Sequence, residues 1–122
     1  MPLQSQHQNR KRTKALPPFP GRLLTLKNGL QLDLIEAGSG SPVLLVHGIC
    51  GVLHHWQPLI EELAPTHRVI AYHRMGYGDS TRCDQETRYD IASNARDLCA
   101  LMDELEIEKA SLIGWSFGGA IV

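Results

Sequence analysis

Apolar residues along the chain follow two different spacings, and the change from one to the other marks out the elements. Leu23 to Lys27 and Leu30 to Glu36 read as two strands, and Asn28-Gly29 between them predicts a two-residue hairpin. Val43-Leu44-Leu45-Val46 is continuously apolar, as expected of a strand buried on both faces of a parallel sheet. Trp56, Leu59, Ile60 and Leu63 recur at helical spacing and predict a helix over Trp56 to Ala64, with Pro58 tolerable in its first turn. Val69-Ile70-Ala71 is another short buried strand, and the stretch from Gly76 to Asp84 is polar and turn-rich. The clearest helix runs from Asp90 to Leu105, with Ile91, Ala95, Leu98, Met102 and Leu105 as its apolar stripe and Asp90 as its N-cap. Ala110 to Ile113 forms a further buried strand, and Phe117 to Val122 begins a helix.

A hairpin followed by alternating strands and helices predicts an α/β fold, a mostly parallel sheet with an antiparallel start. Residues 1–21 are polar, basic and Pro-rich and read as a disordered tail, leaving 22–122 as the folded unit. The 122 residues suffice for one domain with a core, and 43% hydrophobic with 20% charged residues is ordinary for a globular protein. Net charge is −1, but five of the 12 basic residues fall by Arg22 and all 13 acidic ones lie from Asp33 onward. An acidic body of this kind gives no footing for nucleic acid. The N-terminal stretch lacks the apolar run of a secretory signal, and nothing approaches the length of a membrane span. Cys50, Cys83 and Cys99 are odd in number and without C-x-x-C spacing, so no disulfide framework or metal site is expected, and a reduced, cytoplasmic setting is.

The candidate chemistry lies in Gly114-Trp115-Ser116-Phe117-Gly118-Gly119, directly after a buried strand and at the opening of a helix. A serine hydroxyl is a poor nucleophile unless it is exposed, aimed and placed beside a base. A sharp strand-to-helix turn aims Ser116 from its tip, and requires small neighbours two positions away on each side, here Gly114 and Gly118. The helix start also directs free backbone N–H groups at the place where negative charge develops. Two companion segments follow earlier strands: His47-Gly48-Ile49-Cys50-Gly51 and His73-Arg74-Met75-Gly76-Tyr77-Gly78-Asp79-Ser80.

Together these segments resemble the nucleophile elbow, the HG-containing oxyanion loop and the D-x-x-G-x-G-x-S turn of the α/β-hydrolase superfamily, over about residues 23–122. The resemblance implies that the backbone amides of Ile49 and Phe117 hold the oxyanion; losing one such donor typically costs about 3 kcal/mol of barrier. It makes His47 a structural part of its loop and not a base. His73 stands where the family has aspartate, and is expected to brace the loops near the site. An eight-stranded sheet is implied, of which this chain holds the first five strands and the start of the third helix; the catalytic acid and histidine follow later strands.

A serine at the elbow implies acyl transfer to water through an acyl-enzyme, on a small-molecule carboxylic ester and without a cofactor. Relatives that open epoxides or cleave carbon–halogen bonds carry aspartate at that position. Serine peptidases, lactonases, carbon–carbon hydrolases and cofactor-free perhydrolases share these motifs. The alternative class is non-catalytic: a truncated product, favoured by a chain end in mid-helix, or a binding protein that kept the elbow. His54 and His55 are placed at the pocket mouth, His7 and His67 at the surface, and Cys50 among packing residues. Asp79, Asp84 and Asp90 show no paired-carboxylate spacing.

Overall fold

The computed structural model describes residues 19–49 and 53–122, and only the backbone of His54. The expected tail therefore falls almost wholly outside the described residues, as do Cys50 and Gly51. The described residues form five strands: β1 (Gly21–Thr25), β2 (Gln31–Ala37), β3 (Ser41–Val46), β4 (His67–Tyr72) and β5 (Ser111–Gly114). Three α-helices alternate with the later strands: α1 (Gln57–Leu63), α2 (Ile91–Glu104) and α3 (Phe117–Ile121). The sheet runs in the order β1-β2-β4-β3-β5; β1/β2 and β2/β4 are antiparallel, while β3/β4 and β3/β5 are parallel. This is the α/β architecture with an antiparallel start that the pattern predicts.

Period-two alternation splits the apolar strands between two cores. Val43 and Leu45 of β3 pack with Ile35, Val69, Ala71 and Ile60 of α1 on one face. Leu44 and Val46 pack with Leu34, Ile70 and Tyr72 and with Leu98 and Leu101 of α2 on the other. Because β3 lies between two cores and two strands, its run is continuously apolar. The helix following β3 lies on one face and Ile121 of α3, following β5, packs on the opposite one. Adjacent strands whose connections depart to opposite faces open a crevice at their carboxyl ends, where α/β proteins bind ligands. That crevice lies between β3 and β5.

Four local expectations are corrected. β5, expected to be buried, exposes Leu112 and Ile113 because it lies at the sheet edge beside β3 alone. The hairpin loop has three residues: Gly29 N–H donates to Leu26 C=O at 2.9 Å, and Leu26 N–H to Leu30 C=O at 2.7 Å. Only Gly29 of the Asn28-Gly29 pair has positive φ, 86°, so the turn ends in a bulge; the two-residue type I′ turn that Asn-Gly favours needs both residues there. The first helix opens with a 3₁₀ turn over Leu53–Trp56. In α2 the expected stripe residues Ala95, Leu98, Met102 and Leu105 pack on the core, but Ile91 is exposed and Asn94, Asp97 and Leu101 are buried as well. Polar partners explain the burial of the two polar residues, since Arg88 grips Asp97 with two bonds of 2.7 and 3.1 Å, and Asn94 accepts from Arg74 at 3.2 Å. Asp90 caps α2 as expected, accepting from Ser93 N–H at 2.7 Å.

Candidate active site

Ser116 follows β5 and precedes α3, with φ 53° and ψ −117°, a conformation that L residues avoid at a cost of about 1–3 kcal/mol. Its neighbours hold it there. Trp115 N–H donates to Val46 C=O at 3.0 Å, while Gly118 N–H and Gly119 N–H donate to Trp115 and Ser116 carbonyls, each at 2.9 Å. The elbow also requires close backbone approach. A Cβ on Gly114 would lie 2.4 Å from Gly118 O, and one on Gly118 would lie 2.1 Å from Val46 O, both impossible contacts. A Cβ on Gly119 would meet Gly114 O at 3.7 Å, an ordinary distance, so only two of the three glycines are sterically obligatory.

The loop after β3 arrives at the same place. A Cβ on Gly48 would sit 3.3 Å from Ser116 Cβ, so the two segments touch across the crevice. Ile49 presents an exposed side chain beside Gly48. Among the described residues no hydrogen bond engages the N–H of Ile49 or of Phe117.

His47 is only 2% exposed and both its ring nitrogens are committed. Nδ1 lies 2.7 Å from Gly48 C=O, which can only accept, and Nε2 lies 3.0 Å from Arg74 N–H, which can only donate. The ring is therefore neutral with its proton on Nδ1. Burial is the main cause that lowers its pKa from 6.5 to about 4, reinforced by the nearby Arg74 charge and opposed by the bond to Gly48.

His73 braces the adjoining turn. Its Nδ1 meets Asp33 Oδ2 at 3.0 Å, and Leu53 N–H approaches Nε2 at 3.4 Å. Ser80 Oγ donates to His73 C=O at 2.6 Å and accepts from Asp33 N–H at 2.9 Å. Gly78, at φ 50°, leaves room for the imidazole, since a Cβ there would lie 2.2 Å from His73 Nδ1. Asp33 was not distinguished in the sequence, and neither were Arg74 and Asn94. Their signal was weak: a charged residue inside a motif does not announce whether it turns inward. Of the other histidines, His67 is half-buried and bonded to Thr66 Oγ1 at 2.8 Å, and the side chain of His54 lies outside the described residues.

A strained serine between a parallel strand and a helix, at the crevice of a mixed α/β sheet, defines the class. Residues 41–122 match the family described as the alpha/beta hydrolase fold. The chain belongs to the α/β-hydrolase superfamily. It is 36% identical over 104 residues to a 2-hydroxy-6-oxo-2,4-heptadienoate hydrolase of Pseudomonas putida, covering 83% of this chain and 37% of that protein. Epoxide hydrolase A of Mycobacterium tuberculosis is 35% identical over 106 residues, covering 84% and 33%. Among solved structures, epoxide hydrolase A from Mycobacterium thermoresistibile superposes with a TM-score of 0.78 at 32% identity, over 84% of this chain and 33% of that one. The chain thus spans about a third of the length of the relatives it matches. Among the described residues, no helix is long and apolar enough to cross a membrane.

Proposed function

We propose that Ser116 is the nucleophile of a hydrolase that transfers an acyl group from a small carboxylic ester to water. The observation that carries this reading is the positive-φ geometry of Ser116 at the β3/β5 crevice, against Gly48. Oγ attacks the carbonyl carbon, the N–H groups of Ile49 and Phe117 receive the oxyanion, and the alcohol leaves with a proton. Water then attacks the acyl-serine ester and frees the acid. The ring nitrogens of His47 and His73 are occupied, so neither serves as the base. We assign the catalytic histidine and acid to sequence beyond residue 122, in keeping with the greater length of the relatives.

Serine chemistry separates this reading from epoxide opening. An aspartate that opens an epoxide forms an ester, which water can hydrolyse; a serine would form an ether, which it cannot. Carbon–carbon bond hydrolysis is the second reading, favoured by the match to the heptadienoate hydrolase, and it uses the same crevice.

The test is covalent labelling of the protein as its host makes it, using an alkyl fluorophosphonate, with p-nitrophenyl butyrate hydrolysis followed in parallel. The expected result is a phosphonylated Ser116 peptide, and loss of both labelling and hydrolysis in Ser116→Ala. Undiminished hydrolysis in that variant would overturn the assignment. A protein that neither labels nor hydrolyses any ester offered would instead support the non-catalytic alternative.

A further inference from the structure

Arg74 is 3% exposed, and none of the four ion pairs among the described residues includes it. A guanidinium buried without a carboxylate is costly unless its donors are used. Nε donates to His47 C=O at 3.1 Å, Nη2 to Gly48 C=O at 3.1 Å and Nη1 to Asn94 Oδ1 at 3.2 Å. The cation also lies 4.8 Å from the ring centre of Tyr77 and 4.9 Å from that of Phe117. Arg74 thus contacts the residue before one proposed oxyanion donor and the side chain of the other.

We propose that Arg74 is a positioning residue that aims the Ile49 amide into the crevice. The argument rests on the planarity of the peptide bond. In a trans peptide, the carbonyl of one residue and the N–H of the next point in opposite directions. Gly48 C=O is held from one side by Arg74 Nη2 and by His47 Nδ1, at 3.1 and 2.7 Å. The N–H of Ile49, in the same plane, must then point the other way. Gly48 itself can adjust freely, so without a clamp its carbonyl has no reason to hold one direction. Arg74 anchors the clamp to α2 through Asn94 and to the elbow through the Phe117 ring, which joins both donors to one rigid group.

This inference rests on the reading of Ile49 and Phe117 as oxyanion donors, and its test separates the two. Arg74→Met and Arg74→Lys are made in the protein as its host makes it, with Ser116→Ala as control. The direction of the Ile49 N–H is read by residual dipolar couplings, and kcat and KM are measured with p-nitrophenyl butyrate. The expected result in Arg74→Met is an altered Ile49 coupling and a kcat lower by about 10²-fold with KM little changed, as for loss of one oxyanion donor. Arg74→Lys should recover only part of the rate, because one ammonium cannot span both carbonyls. An unchanged Ile49 coupling in a folded Arg74→Met would overturn the inference, and so would failure of both variants to fold. If Ser116→Ala keeps full activity, the reading of the site has failed, and the dipolar coupling alone decides the role of Arg74.

Discussion

His73 and Asp33, forty residues apart in the chain, meet with Nδ1 of the imidazole 3.0 Å from Oδ2 of the carboxylate. The same oxygen accepts from Asp79 N–H at 3.3 Å, so one carboxylate on β2 ties together both ends of the turn after β4. The residue that departs from the family's aspartate has therefore acquired an acceptor of its own. Restoring aspartate by His73→Asp would set two acceptor-only groups of like charge face to face. We expect destabilisation by about 1–3 kcal/mol, since the part-buried Asp33 carboxylate loses one of its donors and faces a like charge. Adding Asp33→Asn, whose amide can donate, should recover much of that loss. Urea unfolding of the two single variants and the double variant measures the coupling. Additive effects would show that the contact carries no specific energy.

A second expectation concerns pH. The unfolded chain binds a proton at His47 near 6.5, whereas the folded ring refuses it until about 4. Between these values the unfolded state holds more protons, so stability rises with pH. The contribution is complete well above 6.5 and is lost as pH falls, by roughly 2–3 kcal/mol at pH 4.5. Urea midpoints at pH 7, 5.5 and 4.5 measure it, and His47→Gln, which cannot titrate, should give a flatter profile. A parent protein with equal midpoints at all three pH values would sink the assignment of a buried neutral imidazole.

The end of α2 offers a third. Glu106 has φ 56°, its N–H donates to Asp103 C=O at 3.1 Å, and Ile107 N–H donates to Met102 C=O at 2.9 Å. This pair of bonds, with Ile107 buried in the core cluster that Met102 packs against, is a Schellman termination that favours glycine at the left-handed position. Glu106→Gly should raise stability by several tenths of a kcal/mol up to about 1, reduced in part by the freedom of unfolded glycine. Chemical denaturation of both versions decides the matter, and a lower midpoint for glycine would count against it.

The edge of the sheet supplies a fourth. β5 pairs with β3 alone, and Leu112, Ile113 and Trp115 are exposed there, Trp115 by 70%. An apolar strand edge is a template for pairing with other chains. The 122-residue chain by itself should therefore self-associate at micromolar concentration, and Leu112→Lys should reduce this. Sedimentation velocity is the measurement. A monomer with a sharp, reversible unfolding transition would refute the expectation.

What was legible in the sequence was local. The continuous apolar run of Val43 to Val46, the glycines around Ser116 and the Asp90 cap all express backbone sterics or burial within a few residues. The hairpin loop was local too, but Asn28-Gly29 is compatible with two loop lengths, and the pairing register Thr25↔Gln31 chose the longer. The remainder depends on which strand lies beside which. The order β4-β3-β5 brings Gly48 against Ser116, and the packing of α2 on that sheet turns Asn94 and Asp97 inward to meet arginines. Periodicity cannot foresee this, because an amphipathic stripe records hydrophobicity whereas a buried hydrogen bond depends on a partner far away in sequence. Arg74 and Gly48 are 26 residues apart, and only the folded sheet sets the guanidinium within 3.1 Å of that carbonyl.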